Sequence, residues 1–426
     1  MLPVNKKDGS GLQKAFIHKE MMGDNNMKKI VALVMVLVLC LMAAAVMADG
    51  IAKEDIKLGV ILLHDENSTY DLNFMNGARE AVAAMGLEED QLQFYRNQPE
   101  SSACAETALD AVDEGCNIIF FDSYGHQFYT DDVVAANPGV QFVHATGDLA
   151  HLKEFPNVAN AFATIYEGRY LAGVAAGLKL NELKEAGKLK GDVPLMGYVG
   201  AYTYAEVVSG YTSFYLGAKS VCPDVQMKVQ FTGSWYDEKE EKAAAEALIA
   251  LGCDLISQHA DSMGAPTACE NAGVPNVCYN ISTKEACPNT YLVYSRINWK
   301  PYFEYLIGQV IAGEPVDKDW VGNMSNEAVA VADLNEAVAA KGTQETLDQV
   351  KAELEAGTRH VFDTATEGFI TVAGAPVAED WAPTDDAYNP EKDKVVYDGY
   401  FHESEFRSAP YFSLEIDGIE RLNTKF

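Results

Sequence analysis

Aromatic side chains recur where strand-like runs of this sequence end, and side chains of this kind stack on flat ligands. Tyr70 opens a predicted helix, Tyr124 follows the run NIIFFDS, and Trp235 follows MKVQFTG. Stacking on an aromatic side chain contributes roughly 1–3 kcal/mol per base to binding. A single aromatic residue near a helix start is more often a core residue. The shared placement of the group therefore indicates a ligand cleft.

Carboxylates and hydroxyls occupy similar positions. Ser123 ends the run NIIFFDS, and Asp261 follows DLISQHA. Such groups hydrogen-bond the N–H and O–H groups of a ligand. Catalysis is the weaker interpretation, because the sequence has no GxSxG, Walker A or HExxH motif and no base placed to activate a nucleophile. We predict no catalytic residue, no metal site and no cofactor.

Strands and helices alternate in a way that positions these residues. From Ile56 onward, apolar strand-like runs alternate with helical patterns, and after the helix predicted at 164–179 the alternation starts afresh. Such alternation predicts a parallel sheet covered on both faces. Two such sheets place a ligand crevice at the carboxyl ends of their strands. The small residues of 164–179 should let another backbone come close.

The C-terminal composition differs from that of the rest of the chain. After a charged helix predicted at 345–355, residues 366–426 combine Gly, Pro, Asp and aromatics with the short runs GFITVAG, KVVYDGYF and YFSLEIDG. We predict a β-rich C-terminal appendage there.

An export signal is predicted near the N-terminus. The apolar run 30–47 follows Met27-Lys28-Lys29 and ends in small residues at Ala48. This pattern predicts a signal peptide at 27–48, with residues 1–26 as an upstream extension. The run is nearly long enough to span a bilayer, so a retained membrane anchor is the alternative. Either way we expect an exported protein, periplasmic or at the cell surface.

We predict that the mature chain begins near Asp49 and carries no lipid. The bulky Leu39 stands immediately before Cys40, where lipoprotein signals require a small residue. The intact mass of protein recovered from the native host tests this. A diacylglyceryl-modified Cys40 at the N-terminus would refute it.

Charge and cysteine content restrict the classes of partner and of stabilising bond. The formal net charge of −31 argues against nucleic acid or an anionic membrane surface as partner.

One of the eight cysteines is Cys40 in the leader, so an odd number remains and at least one thiol is unpaired. Pairing among Cys269, Cys278 and Cys287 and a set of buried thiols both remain open.

Several ordered motifs carry a family resemblance. The segments YEGRYLAGVAAG, GYVGAYTYAEVVSG, LGAKSVCPD, FTGSWYDEKEEKAAAEALIALGCDLISQHADS and SRINW, with FFDSYGH and FVHATG before them, resemble the BMP (basic membrane protein) family over residues 56–333. These are substrate-binding components of ABC importers. The resemblance implies an α/β type I periplasmic-binding-protein fold, with two doubly wound parallel-sheet lobes joined by a hinge of three crossings. We expect lobe 1 at 55–163, lobe 2 at 164–288, a return to lobe 1 and hinge at 289–365, and the appendage at 366–426.

The resemblance also implies a set of ligand-binding residues from the strand ends, the helix at 164–179 and the return. They are Asn67, Tyr70, Asp71, Ser123, Tyr124, Tyr166, Arg169, Glu206, Trp235, Asp237, Asp261, Asn298 and Trp299. The family usually has an Asp near Asn67, and its nucleoside-binding members have another near Ser282. Because this sequence lacks both carboxylates, a free base or another flat heterocycle is favoured over a nucleoside.

The implied function is that of an extracytoplasmic solute-binding protein. It would bind a purine base, a nucleoside or a similar heterocycle between its lobes and deliver it, as a monomer, to an ABC permease and its ATPase. It would not be an enzyme, and nucleic acid would not be a partner. The alternatives are a surface antigen or ligand sensor that uses the same cleft, and an importer component for a sugar or a flavin.

Overall fold

The structure is a computed structural model that describes residues 50–378 and 394–424. The predicted upstream extension, signal peptide and Cys40 lie outside the described residues. Within the described ranges, no helix combines the length and the apolar character needed to cross a bilayer.

Strands and helices alternate along most of the chain. The strands are β1 (Leu58–Ile61), β2 (Leu92–Tyr95), β3 (Ile118–Phe121), β4 (Gln141–Ala145), β5 (Val158–Ala163), β6 (Leu195–Gly200), β7 (Gln226–Phe231), β8 (Leu255–His259), β9 (Asn276–Tyr279), β10 (Tyr291–Ile297), β11 (Asp319–Gly322), β12 (Val329–Ala332), β13 (Thr371–Val372), β14 (Ala375–Pro376), β15 (Val396–Tyr397), β16 (Tyr400–Phe401) and β17 (Ile419–Arg421). The helices are α1 (Thr69–Ala84), α2 (Ser102–Asp113), α3 (Asp131–Ala136), α4 (Ile165–Glu185), α5 (Ala205–Val221), α6 (Glu238–Ala250), α7 (Gly264–Ala272), α8 (Lys300–Ala312) and α9 (Thr343–Glu355).

Lobe 1 is built on a six-stranded sheet in the order β11-β5-β4-β3-β1-β2. All of its neighbouring strands are parallel. Strands buried on both faces are apolar along their length, as in the fully buried β3. Helices α1 and α8 pack on one face, where the rings of Phe74 and Trp299 stack 4.3 Å apart.

Lobe 2 is built on a seven-stranded sheet in the order β12-β10-β9-β8-β6-β7-β17. Only β12 runs antiparallel to its neighbour in this sheet. Helices α4 and α5 pack closely here, and glycines permit the approach. A Cβ added at Gly173 would collide with the carbonyl of Phe214, and one added at Gly217 with the carbonyl of Tyr170. The expectation that small residues admit another backbone is confirmed.

The chain crosses between the sheets at residues 163–165, 297–300 and 322–329. This corrects the boundary expected at residue 288. Strand β10 pairs with β9, so lobe 2 continues to Ile297 before the chain returns. Strands β11 and β12 were not predicted, because each has four residues and lies at a sheet edge, where burial is incomplete.

The C-terminal segment is only partly an appendage. Hairpin β15–β16 lies in the run KVVYDGYF, and hairpin β13–β14 begins in GFITVAG and ends just after it. The third predicted run, YFSLEIDG, contains no strand. Strand β17 follows that run and pairs in parallel with β7, so it completes the sheet of lobe 2. Pairing with a strand far back in the chain is not visible in local sequence.

The cysteines of the described residues are buried free thiols. The Cys278 sulfur lies 2.9 Å from Asn276 Oδ1 and 2.8 Å from Thr283 Oγ1. Burial raises the pKa of Cys278 to about 12 and that of Cys287 to about 11. Of the two open alternatives, the structure shows packed thiols rather than disulfides.

Candidate functional site

A narrow cavity lies between the two lobes, with only about 20 Å³ accessible to a water-sized molecule. Small-molecule sites typically occupy about 300–1,000 Å³, so this closed clamp must widen to admit a ligand. Its lining comes from both lobes and consists of Leu63, His64, Tyr70, Ser123, Tyr124, Thr146, Glu206, Trp235, His259 and Asp261. Nearly all of these residues follow the carboxyl end of a strand or open the next helix, as expected for two doubly wound sheets that face each other.

The lobes touch directly around the cavity. The backbone N–H of Thr69 in lobe 1 donates to the carbonyl of Asp261 in lobe 2 at 2.8 Å. The rings of Tyr124 and Tyr204, again from opposite lobes, have centroids 6.3 Å apart. The structure is therefore that of a closed clamp.

Tyr70 is the aromatic side chain that α1 contributes. Its hydroxyl donates to the carbonyl of Asp122 at 2.9 Å, and its ring meets Phe74 edge-on at 4.9 Å. Burial raises the pKa of Tyr70 well above its ordinary value, so the hydroxyl stays protonated at neutral pH. Both contacts fix the ring before a ligand arrives.

Trp235 is the aromatic side chain that lobe 2 contributes, from the loop after β7. Its ring packs edge-on against Tyr202 at 5.1 Å and lies 6.0 Å from Tyr204. Its carbonyl accepts from the backbone N–H of Asp261 at 3.0 Å. The two loops that carry Trp235 and Asp261 are thus joined, and the indole and the carboxyl hold a fixed relation.

Two carboxyls line the same side of the cavity. Asp261 is buried, and its Oδ1 lies 3.4 Å from the amide nitrogen of Asn280. Burial, and after it the negative charges of Glu241 and Asp71, raise the pKa of Asp261 well above its ordinary value. Glu206, in the first turn of α5, is the second carboxyl. Among the described residues, no group of three or more His, Cys, Asp or Glu side chains could hold a metal.

His259 lies beside Glu206, with Nε2 and Oε1 3.4 Å apart. Burial and the positive charge of Arg169 lower the pKa of His259, which keeps the imidazole neutral. Arg169 itself lies behind the cavity wall. Its guanidinium donates to the carbonyl of Gln258 at 3.0 Å, and its Cζ lies 3.3 Å from the centroid of the Tyr279 ring.

Ser123 and Tyr124 follow β3 and are held by two acidic residues. Ser123 donates to Glu100 Oε1 at 2.6 Å, and Tyr124 donates through its hydroxyl to Asp148 Oδ2 at 3.2 Å. Neither carboxylate lines the cavity. Glu100 and Asp148 therefore hold the loop after β3 in place without lining the cavity.

The structure brings six of the thirteen predicted residues to the cavity and places seven outside it. The six are Tyr70, Ser123, Tyr124, Glu206, Trp235 and Asp261. The seven are Asn67, Asp71, Tyr166, Arg169, Asp237, Asn298 and Trp299. The six come from loops and helix starts at the cavity edge of each sheet.

Three of the seven are turn or capping residues. Asn67 is exposed and donates from its side chain to Asp65 at 2.8 Å. Asp71 is buried in the first turn of α1, where its carboxylate accepts from the backbone N–H of His64 at 2.7 Å and from Ser68 Oγ at 2.5 Å. Asp237 is the N-cap of α6 and accepts from two backbone N–H groups of its first turn.

Three more are held by the C-terminal segment, the hinge or the core, and Arg169 lies behind the wall as described above. Tyr166 donates through its hydroxyl to the carbonyl of Glu403 at 3.3 Å. Asn298 lies at a crossing and donates to the carbonyl of Glu327 at 3.0 Å. Trp299 is 1% exposed in the core of lobe 1. Its position after a strand suggested the cleft, but its ring points into the sheet.

The cavity also contains residues that were not predicted: Leu63, His64, Thr146 and His259. The two histidines do stand at or just beyond strand ends, which is a signal, but solvated histidines are more common at such positions. Thr146 follows β4 with a positive φ of 55°. Its backbone conformation is not visible in the sequence.

Comparisons with known proteins give a consistent result. Residues 59–357 match the model of the Bmp family, described as ABC transporter substrate-binding protein PnrA-like. A purine-binding protein of Brucella abortus is 33% identical over 255 residues, 59% of this chain and 68% of that protein. A putative ABC transporter glucose-binding protein of Haloferax volcanii is 27% identical over 272 residues, 60% of this chain and 66% of that protein.

The fold is also found in solved structures. A solute-binding protein of an ABC transporter system from Conexibacter woesei superposes with a TM-score of 0.58 at 19% identity, over 72% of this chain and 98% of that one. At this identity the similarity concerns the fold alone. The two-lobed, type I periplasmic-binding-protein architecture that the sequence predicted is confirmed.

Proposed function

This chain belongs to the Bmp family of ABC transporter substrate-binding proteins, and we propose that it binds a purine base between its lobes and delivers it to an ABC permease and its ATPase. One observation carries the proposal. The cavity combines an aromatic ring from each lobe, Tyr70 and Trp235, with the buried carboxyl of Asp261.

The chemistry of the lining favours a flat ligand that offers hydrogen-bond donors. Aromatic rings recognise the faces of a base, whatever its identity. Asp261 and Glu206 accept hydrogen bonds from ring or exocyclic N–H groups. The absence of the family's carboxylates near Asn67 and Ser282 favours a base over a nucleoside. The name of the Brucella abortus relative, a purine-binding protein, agrees with this ligand class.

A sugar is the second candidate. Aromatic faces and carboxylates also suit a pyranose, whose hydroxyls are donors, and one relative is named as a putative glucose-binding protein. The number of aromatic side chains in the cavity distinguishes the two ligands. Two aromatic side chains from opposite lobes are better used by a planar heterocycle than by a sugar.

Calorimetric titration distinguishes these ligands. Protein freed of co-purified small molecules by mild unfolding and refolding is titrated with adenine, guanine, hypoxanthine, adenosine and glucose, and mass spectrometry identifies what was removed. We expect one or more free bases to bind most tightly, adenosine more weakly and glucose not measurably. Binding of glucose without any base would overturn the purine proposal.

The clamp is complete within one chain, because a single copy supplies both walls of the cavity. We therefore propose that the protein works as a monomer. We also propose that it works outside the cytoplasm, as the leader-type sequence at 27–48 and the family indicate.

Ligand should close the two lobes about the three crossings. The structure shows the closed arrangement, in which Thr69 bonds Asp261 across the cleft. Small-angle scattering with and without the ligand identified by titration should show a contraction. Identical profiles, with binding confirmed by calorimetry, would count against a two-lobed clamp.

A further inference from the structure

Residues 403–412, here called the strap, lie outside the part of the chain that matches the family model, which ends at residue 357. The strap contacts both lobes. On the lobe 2 side, Ser209 of α5 donates to Glu403 Oε2 at 3.1 Å. On the lobe 1 side, Arg407 pairs with Asp148 at 3.2 Å, and the backbone N–H of Ser408 donates to Asp319 at 3.0 Å.

The two anchoring side chains are buried and also fold the strap itself. The Glu403 carboxylate accepts from the backbone N–H groups of Tyr411 at 2.6 Å and Phe412 at 3.0 Å. Arg407 donates to the carbonyls of Ala409 and Pro410, each at 3.1 Å. The side chains of Arg407 and Asp148 are 4% and 9% exposed, so their attraction is little screened by solvent.

Each anchor is connected to a residue that lines the ligand cavity, one through a hydrogen bond and the other through a shared helix. Asp148 Oδ2, the oxygen that pairs with Arg407, also accepts from the hydroxyl of Tyr124, which lines the cavity. Ser209 lies three residues after Glu206 on the same helix, and Glu206 lines the opposite wall. The strap therefore connects a cavity residue of one lobe with a cavity-lining helix of the other.

We propose that the strap is a latch, in which Glu403 and Arg407 hold the closed lobes together and Arg407 positions Tyr124 through Asp148. The inference rests on the proposed ligand clamp. Opening the lobes separates the anchor on lobe 1 from the anchor on lobe 2, so one of them must break. Neither side chain lines the cavity, and the latch therefore sets how long a ligand stays bound rather than which ligand enters.

Arg407→Gln tests the latch. We expect adenine to dissociate about tenfold faster, while its association rate changes about twofold or less, because losing one partner of a buried charge pair acts mainly on dissociation. Stopped-flow tryptophan fluorescence measures both rates. Arg359→Gln is the matched control, since Arg359 pairs with Glu353 at 2.7 Å and donates to Tyr170 without bridging the lobes. It should leave both rates unchanged.

A cycle with Tyr124→Phe tests the path through Asp148. If Arg407 acts on the ligand by positioning Tyr124, removing the hydroxyl should abolish a large part of the effect of Arg407→Gln on adenine dissociation, so that the two changes are not additive. Full additivity would show that Arg407 does not position Tyr124.

Small-angle scattering of the ligand-free protein gives a result that does not depend on the purine assignment. We expect a larger radius of gyration for Arg407→Gln than for the wild type and for Arg359→Gln, because the closed population loses its latch. If adenine fails to bind the wild type and this expansion is still seen, the purine proposal falls and the latch stands.

Two outcomes would overturn the latch. One is an Arg407→Gln protein that melts at a lower temperature yet matches Arg359→Gln in both radius and adenine dissociation, which shows a purely structural strap. The other concerns Ser209→Ala, which removes only one hydrogen bond at the opposite anchor and serves if Arg407→Gln does not fold. A radius and a dissociation rate identical to wild type in that variant would also contradict the proposal.

Discussion

Replacing Trp235 by alanine is expected to weaken binding of the purine ligand about ten- to a hundredfold. The indole lines the cavity from the lobe opposite Tyr70, and Tyr202 and Tyr204 hold its orientation. Loss of one stacking partner costs roughly 1–3 kcal/mol of binding free energy, which is the stated range in affinity. Calorimetric titration of the variant with the ligand identified for the wild type measures the effect.

The matched control for Trp235→Ala is Trp320→Ala. Trp320→Ala also removes an indole from a half-buried position. Trp320 packs against Tyr302 at 4.8 Å at the edge of lobe 1, away from the cavity. We expect this control to lower the melting temperature and to leave the affinity unchanged. A stably folded Trp235→Ala protein with wild-type affinity would refute the proposed site.

Asp261→Asn should weaken binding of bases that offer N–H donors about ten- to a hundredfold at a pH where the wild-type carboxyl is ionised. A hydrogen bond to a charged group contributes about 1.5–3 kcal/mol. Burial and the neighbouring carboxylates raise the pKa of Asp261 well above its ordinary value, so the ligand-free closed site holds a proton there at any pH below that raised pKa. A donor on the ligand stabilises the carboxylate and expels that proton.

The sign of the pH dependence follows from that exchange. Between the pKa of Asp261 in the complex, which a ligand donor lowers, and its raised pKa in the ligand-free site, wild-type affinity should rise with pH, because binding releases a proton. The asparagine variant cannot titrate and should lose this dependence. Titrations in buffers of different ionisation enthalpy measure the released proton directly. The other titratable side chains around this position include Glu206, Glu241, Asp71, His64 and His259, and Glu206→Gln removes the second carboxyl of the lining.

Asp237→Asn is the control for charge removal. Asp237 caps α6 and does not line the cavity, so its replacement should change affinity little and stability slightly, since asparagine also caps helices well. Equal affinity and equal pH dependence in wild type and Asp261→Asn would show that Asp261 does not contact the ligand.

The alternation of strands and helices could be predicted because several inner strands of both sheets are short, largely apolar runs that are buried on both faces. β3 is fully buried and was recognised for that reason. β11 and β12 are edge strands with partly exposed residues, and β17 is recognisable only from its partner β7. Their pairing is a property of the tertiary structure and leaves a weak local signal.

The sequence predicts which positions lie near the site better than it predicts where their side chains point. Trp235 and Trp299 both follow a strand, yet one lines the cavity and the other stacks on Phe74 in the core. Position after a strand does not determine where a ring points. Asp237 is different, because an aspartate directly before a charged helical segment is a capping signal that the sequence does contain. It was outweighed by the family motif.

The pairing of β17 with β7 also restricts the order in which the chain can fold. The ion pair between Lys228 and Glu420 joins residues 192 positions apart, and β17 is the seventh strand of its sheet. Contacts of such high sequence separation form late, since a long loop must close first. Until residue 421 has been synthesised, the edge of β7 that faces away from β6 has no partner. Another chain could pair with that edge. Completion of lobe 2 therefore waits until β17 has been synthesised.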